Sequence, residues 1–328
     1  MKVKNYFIIA LIIVILALAG YIFYLKSPER SRKQIVRLGI EYSKTQYLIA
    51  VSRGDHVVMD YFLKSGMTPD VKNKNGWSSL HFAINDENPE TVMMLLDAGV
   101  DPNRKDGTGW VAVQDAARLD DTQILKMLLK KGANPNIPDN GGWTAIMLAT
   151  LAANPDAVRL LLDHDAEIKV RDKYGITPFY RAVSFGHEKI AKMLLEKGAD
   201  INVVDRNGAS IVMAAVNIGS KELVKLLIEK GVDANKADKN GATPLMMAAN
   251  KGNLELVKLL ISENASINAR DRLNWTPLMF AVREGHADVV QELLSKNADI
   301  NVKNSSGQTA LDIANRQGFT KISQMLSS

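Results

Sequence analysis

The chain has 328 residues, of which 46% are hydrophobic and 23% are charged, a composition typical of one elongated or about two compact domains. It has no cysteine, which excludes disulfides, thiolate metal sites and cysteine nucleophiles. Residues 1–40 hold seven of the 41 basic residues and one of the 36 acidic residues, so the remaining 34 and 35 nearly cancel. The net charge of +5 therefore belongs to the front of the chain, and it argues against nucleic-acid binding by the body.

A short basic tail, residues 1–5, precedes an uncharged segment from Tyr6 to Leu25. Twenty helical residues reach about 30 Å, the thickness of the hydrocarbon core of a bilayer. The sequence therefore predicts a single transmembrane helix or signal anchor at Tyr6–Leu25. A cleavable signal peptide is the alternative, with a small-residue site at Ala17–Ala19, but the apolar run continues to Leu25, which favours a retained anchor.

Two sequence signals make opposite predictions about which side of the membrane holds the body of the protein. Lys2 and Lys4 before an apolar run resemble an export signal, whereas five Lys or Arg residues follow the segment closely and favour a cytosolic body. We give the export signal more weight and expect an extracytoplasmic body, periplasmic or luminal. Residues 26–40 are predicted to be a basic linker helix, because Ser27, Pro28 and Glu29 form a helix-start pattern that predicts a helix from Pro28 to about Glu41.

The rest of the chain, residues 41–328, repeats itself every 33 residues. Glycine recurs at this interval from Gly76, with Asn274 in one position, and an alanine follows seven residues after each such anchor. The recurring alanines are Ala50, Ala83, Ala116, Ala149, Ala182, Ala215, Ala248, Ala281 and Ala314. This register predicts nine repeats, the first degenerate and the last truncated.

Each repeat reads as two short helices. In the repeat that starts at Gly241, "TPLMMAA" predicts a first helix with proline in its first turn, Gly252 ends it, and Asn253 caps a second helix with apolar residues at helical spacing. A single helix pair cannot bury its own apolar face, so neighbouring repeats must stack into an all-α solenoid. The recurring alanine would let the helices of adjacent repeats approach closely.

These features resemble the ankyrin repeat family over residues 41–328. The motifs "YGITPFYRAVSFGHEKIAKMLLEKGADINVVD" (174–205) and "NWTPLMFAVREGHADVVQELLSKNADINVKN" (274–304) carry the resemblance. It implies helix–turn–helix units joined by β-hairpin-like fingers, and a protein–protein binding function on the concave face made by the fingers and the inner helices. The aspartates Asp106, Asp139, Asp172, Asp205, Asp238 and Asp271 would support the turns of the fingers.

The chain departs from the family pattern at two positions. The histidine of the TPLH motif remains only at His81, and packing of methionine side chains is expected to replace its hydrogen bonds in most other repeats. Three turn glycines are replaced by Glu87, Asp120 and Ala153, where Asn88–Pro89, Asp121 and Asn154–Pro155 are expected to cap the second helices instead.

The four tryptophans all follow an anchor residue directly, at the base of a finger. Two interpretations are open: the indoles pack within the molecule, or they form a ladder of binding hot spots for a partner. Apolar residues also occur nine or ten positions after the anchor, where a solvated groove is expected. The candidate partner-binding residues are Trp77, Trp110, Trp143, Trp275, Arg118, Leu119, Leu151, Tyr180, Phe185 and Ile218.

The sequence shows no pattern for catalysis or metal binding. The five histidines lie in separate repeats, and no phosphate-binding glycine loop or nucleophile motif occurs. We therefore expect no enzyme activity, no cofactor and no small-molecule substrate. The predicted function is that of a monomeric, membrane-anchored scaffold that binds an unidentified protein. A structural tether or spacer at the membrane, without a high-affinity groove, is the alternative.

Overall fold

The computed structural model describes residues 27–327, and these residues form nineteen α-helices and no extended strand. In chain order, the helices are α1 (Pro28–Arg37), α2 (Lys44–Arg53), α3 (His56–Lys64), α4 (Ser79–Asn85), α5 (Pro89–Asp97), α6 (Ala112–Ala116), α7 (Gln123–Lys130), α8 (Ala145–Leu151), α9 (Pro155–Leu162), α10 (Pro178–Ser184), α11 (Glu188–Glu196), α12 (Ile211–Ile218), α13 (Lys221–Glu229), α14 (Pro244–Lys251), α15 (Leu254–Ser262), α16 (Pro277–Arg283), α17 (Ala287–Ser295), α18 (Ala310–Gln317) and α19 (Thr320–Ser327). The all-helical expectation is confirmed for the described residues.

The chain divides into two compact units, one through Asn140 and one from Gly141 onward. In the first unit, the inner helices α2, α4 and α6 pack in succession, and each also packs on the outer helix that follows it. In the second unit, the inner helices α8, α10, α12, α14, α16 and α18 pack in the same way. Within each unit, therefore, successive helix pairs stack as the repeat pattern predicts.

The recurring alanines lie where inner helices meet. Eight of the nine have no exposed surface, and Ala50 is 5% exposed. They are surrounded by buried side chains of the same helices, such as Leu245 and Met246 in α14. A methyl group is the largest side chain that leaves these helices in contact, so the alanine sets the distance between repeats.

The fingers between helix pairs are turns rather than hairpins. Only isolated antiparallel bridges occur among the described residues, between Lys72 and Ser78 and between Val204 and Ser210. Neighbouring fingers in the second unit are joined by single backbone hydrogen bonds, such as the one from the Lys239 amide to the Asn207 carbonyl at 3.0 Å. The expected β-hairpin geometry is thus reduced to single bridges, because each finger is held mainly by side chains, as shown below.

Helix α1 ends at Arg37, before the predicted end near Glu41, because Gly39 takes a left-handed conformation with φ of 70°. It is not an isolated linker helix, since its Ile35 is fully buried and the helix packs on α3. Among residues 27–327, no helix has the length and apolarity needed to span a bilayer. The predicted anchor at Tyr6–Leu25 lies outside the described residues.

The three turns in which glycine is replaced are formed in two different ways. Glu87 and Ala153 adopt the left-handed conformation themselves, with φ of 48° and 56°. Asn88 and Asn154 cap the next helices with their side chains, as predicted. The third repeat differs: Thr122 precedes its second helix, so the expected cap at Asp121 is wrong, although the Asp121 carboxylate accepts a hydrogen bond from the Gln123 amide at 2.9 Å.

Candidate functional site

A carboxylate or amide oxygen in each finger holds the base of that finger in place. The Asp271 Oδ1 atom accepts hydrogen bonds from the amides of Leu273 and Trp275, at 2.9 and 2.8 Å. Asn73 and Asp106 hold the amides of Trp77 and Trp110 in the same way, both at 2.9 Å. The predicted turn-supporting role is confirmed for Asp106 and Asp271, and Asn73 plays the same role although it was not predicted. They fix the backbone from which each of these tryptophans projects.

Two indoles pack against a phenylalanine five residues further along. The rings of Trp77 and Phe82 have centroids 5.7 Å apart in an edge-to-face arrangement, and those of Trp275 and Phe280 are 5.4 Å apart. Such aromatic pairs contribute about 0.5–1.5 kcal/mol beyond the burial of their surface. All four tryptophans are half-buried.

Arginine covers an indole face in three cases. The Arg118 and Arg283 guanidinium carbons lie 5.3 Å and 5.1 Å from the ring centres of Trp110 and Trp275, and that of Arg181 lies 4.0 Å from Trp143. These are cation–π distances. Packing within the molecule therefore accounts for one indole face in Trp110, Trp143 and Trp275, which supports the intramolecular interpretation without testing the partner-binding one.

The guanidinium of Arg181 also forms a buried ion pair. Its Nη2 atom donates to Asp172 Oδ2 at 2.7 Å, and the Asp172 side chain is fully buried. Desolvation lowers the pKa of Arg181, and the attraction of Asp172 partly offsets this. Asp172 in turn accepts from the amides of Tyr174 and Ile176 through Oδ1. These contacts thus connect the indole of Trp143, the inner helix that carries Arg181 and the finger that carries Asp172, all in the second unit.

A second polar cluster lies inside the first unit. His81 is 3% exposed; its Nδ1 atom lies 2.7 Å from Ser78 Oγ, and its Nε2 atom lies 3.7 Å from Asp115 Oδ2. Burial lowers the pKa of His81. Burial raises the pKa of Asp115 to about 7, although Arg118 opposes this shift. Because the imidazole is neutral and the carboxyl group titrates near neutrality, the electrostatic attraction between them is weak. The role of this pair is therefore in packing.

At the position equivalent to His81, other repeats place side chains that accept a hydrogen bond from the amide at the start of the helix. The Gln114 side chain, fully buried, accepts from the Val111 amide at 2.9 Å, and Asp312 accepts from the Thr309 amide at 2.8 Å. The Met246 sulfur lies 3.4 Å from the Thr243 amide. Met246 thus accepts a hydrogen bond at the start of its own helix, as Gln114 and Asp312 do, and the replacement of hydrogen bonds between repeats by methionine packing stays a prediction.

The predicted apolar residues differ in exposure. Phe185, Leu151 and Ile218, all in the second unit, are 54%, 42% and 37% exposed. Leu119, in the first unit, is half-buried, and Arg118 there is exposed. Tyr180 is only 8% exposed, and its burial raises its pKa to about 12. The tyrosine ring is therefore part of the core, and we do not retain Tyr180 in the candidate surface.

Phe185 and Ile218 occupy the same position in consecutive repeats. The ring of Phe185 stacks on His187 with centroids 6.0 Å apart. A Cβ atom added to Gly186 would lie 3.2 Å from the Ile218 methyl group Cδ1, which places the turn after Phe185 directly beside Ile218. The two side chains therefore belong to one surface region.

Basic side chains at the fingertips connect neighbouring fingers. Lys72 donates to the Lys105 carbonyl at 2.9 Å, and Lys105 donates to the Pro138 carbonyl at 2.8 Å. Arg206 and Lys239, in the second unit, donate in the opposite direction, to the Lys173 and Arg206 carbonyls of the preceding fingers. These four cations have a structural role that the sequence pattern alone does not indicate, although the spacing of 33 residues within each pair is visible in the sequence.

The first unit also holds a cleft of about 760 Å³ between α2 and the first finger. Lys44, Lys72 and Lys74 line it together with Ile49 and Phe82. Sequence reasoning missed this cleft because the first repeat departs most from the repeat pattern. No group of three His, Asp or Glu side chains suited to a metal ion occurs in the part of the chain that the structure describes.

Replacing Asp115 should change how stability depends on pH. The unfolded carboxyl group titrates near 3.8 and the folded one near 7, so the folded state holds a proton that the unfolded state has lost between these pH values. The free energy of unfolding contributed by this group falls as pH rises across that window, by up to about 1.4 kcal/mol per pH unit. His81, with its lowered pKa, acts in the opposite direction up to its unfolded pKa of about 6.5.

We therefore expect Asp115→Asn to be more stable than the wild type at pH 8, with the difference vanishing near pH 4, as measured by chemical denaturation. Asp121→Asn is the control because Asp121 is exposed. Identical pH profiles for wild type and Asp115→Asn would contradict the assignment.

Replacing Trp143 tests whether its indole is structural. Trp143→Ala removes the ring that covers Arg181 and should lower the free energy of unfolding by roughly 2–3 kcal/mol, since the indole is half-buried. Trp143→Phe keeps a ring in place and should cost less than half as much. Equal stability of all three proteins would mean that the indole contributes nothing to the fold.

Comparison with known families accounts for most of the chain. A family model described as "Ankyrin repeats (3 copies)" matches residues 33–106, 112–205, 211–304 and 270–328, and another, "Ankyrin repeats (many copies)", matches residues 186–228. No curated protein matches the chain. Since the matches cover well over half of its residues and the helix pairs stack as such repeats do, the chain belongs to the ankyrin repeat family.

Proposed function

We propose that the protein is a membrane-anchored scaffold that binds a partner protein through the finger and inner-helix face of its repeats. Ankyrin repeats are protein–protein interaction domains, and the family is generally non-enzymatic. Family membership alone does not imply a partner-binding surface on this chain or a membrane anchor. The proposed binding surface rests on the exposed apolar residues of the second unit, and the proposed anchor rests on the composition of residues 6–25.

The observation that carries the proposal is the exposure of Phe185 and Ile218. The same position in the later repeats is occupied by Lys251, Glu284 and Gln317, which are polar. Leu151 adds a third exposed apolar side chain in the preceding repeat. Apolar side chains at 54%, 42% and 37% exposure on three consecutive repeats cost solvation free energy in the isolated protein. A surface of this kind is typical of a protein-binding site.

The tryptophans lie at the finger bases, and we assign them a supporting role in recognition. Trp143 and Trp275 belong to the second unit, and Trp77 and Trp110 to the first. Each keeps part of its surface accessible while another part packs on arginine or phenylalanine. A half-buried indole loses little conformational entropy on binding, which favours its use beside a hot spot.

We further propose that Tyr6–Leu25 anchors the chain as a single transmembrane helix, with the repeats on the extracytoplasmic side. The uncharged length of the segment supports the anchor, and Lys2 and Lys4 support this orientation. A tether without a binding groove is the second candidate, and it requires the apolar surface to be dispensable.

The proposal predicts that Phe185→Ala/Ile218→Ala loses partner binding while folding is kept. Both side chains are exposed, so the free energy of unfolding should change by less than about 1 kcal/mol. Affinity for the partner should fall at least tenfold, because truncation of a hot spot costs about 2 kcal/mol or more. Quantitative mass spectrometry of proteins crosslinked to the full chain in membranes, followed by affinity measurement with the protein identified, provides the test.

Ile300→Ala is the matched control, because Ile300 is an isoleucine of nearly the same exposure as Ile218, at 36%, beside the outer helix α17 of the same unit. Crosslinked proteins that survive the double substitution and disappear with the control would refute the assigned surface. A chain that crosslinks no protein in any form would favour the tether.

A further inference from the structure

Helix α1 is divided into a buried face and an exposed face. Ser31 and Ile35, one turn apart, are 6% and 0% exposed where α1 packs on α3. Arg32 fixes the helix further, because its guanidinium donates to the Ser65 carbonyl at 3.3 Å and lies 4.8 Å from the ring centre of Tyr42. The helix is therefore held rigidly on the first repeat, and its other face has a defined direction.

The exposed face combines cations with apolar side chains. Lys33 and Arg37 are one turn apart, both exposed, and Val36 lies between them at 69% exposure. Leu38, just after the helix, is 54% exposed, and Val57, in the first turn of α3, is 62% exposed. Val36 and Val57 have the largest exposed fractions among the large apolar side chains of the described residues.

We propose that this face of α1 lies on the surface of an anionic phospholipid bilayer. The inference rests on the proposed anchor at Tyr6–Leu25. Two residues lie between Leu25 and Pro28, the start of α1, and three residue steps reach about 10 Å, while α1 itself is about 15 Å long. A chain that leaves the bilayer at Leu25 therefore allows Lys33, Val36 and Arg37 to reach the layer of lipid head groups.

The chemistry of the face suits that layer. Lysine and arginine are attracted to anionic head groups, and valine and leucine side chains can enter the boundary between head groups and acyl chains. Glu29 is the one acidic residue within α1, against Arg30, Arg32, Lys33 and Arg37. On α3, Asp60 is neutralised by Lys64, with Nζ and Oδ2 2.6 Å apart. The four basic residues of α1 against its one acidic residue therefore give the helix a net positive field toward the lipid.

The absence of cysteine permits a direct test in the full chain. Val36→Cys provides a single site for an environment-sensitive fluorophore, and Leu273→Cys provides an equally exposed control site in the second unit. Both proteins are reconstituted in vesicles of phosphatidylcholine, with and without phosphatidylglycerol. Quenching by aqueous acrylamide reports whether the label is covered, and flotation in alkaline carbonate reports separately whether the chain is anchored.

We expect the label at Val36 to be several-fold less quenched in phosphatidylglycerol vesicles than in phosphatidylcholine alone, with no change at Leu273. Lys33→Glu/Arg37→Glu, added to Val36→Cys, should abolish that protection, since each basic residue near an anionic surface is worth roughly fivefold in binding. Both exchanged side chains are exposed, so the helix should stay folded.

Full quenching at Val36 in both kinds of vesicle would overturn the proposal, whether or not the chain floats. Protection that is independent of lipid charge and depends on protein concentration would assign the face to a second copy of the chain instead. Protection by phosphatidylglycerol in a chain that fails to float would uphold the lipid-binding face and refute only the anchor.

Discussion

The close approach of inner helices at a buried alanine is the constraint on which the rest of the structure depends. A helix of seven or eight residues is too short to be stable by itself, and its apolar stripe is buried only when another repeat covers it. The methyl side chain of alanine allows this cover at every repeat, from Ala50 to Ala314. Because the spacing is constant within each unit, the fingers come into register, and single backbone hydrogen bonds can join them.

That register also fixes which side chains each unit presents at its surface. Asn or Asp side chains hold the finger bases, and the finger bases carry the tryptophans. Arginine side chains then lie over the indoles, so that Trp143, Arg181 and Asp172 form one connected group with a buried carboxylate. The same residues that stabilise a finger thus determine how much indole surface remains accessible. If the tryptophans contact a partner as proposed, recognition and folding share side chains, and substitutions at the tryptophans should affect both.

The sequence predicts most of this architecture because its 33-residue register repeats both helix signals and turn signals. Prediction is less successful where the register fails. Gly39 ends α1 earlier than its composition indicates, and the turn of the third repeat moves the start of α7 to Gln123. Contacts between side chains of different repeats, such as that of Arg181 with Trp143, depend on the stacking distance and are therefore not predicted by the repeat pattern. The burial of Tyr180 was missed although the same motif position holds methionine in four other repeats, a pattern that indicates a packed side chain.

The stacking constraint is tested most directly by enlarging one alanine. Ala248→Leu places three additional carbon atoms where α14 meets α16, and overpacking of this kind costs about 1–3 kcal/mol. The account predicts a loss of this size in the free energy of unfolding, measured by chemical denaturation. Ala287→Leu, on a half-buried alanine of an outer helix, should have a much smaller effect. If Ala248→Leu is as stable as the wild type, the alanine does not set the distance between repeats, and the account is contradicted.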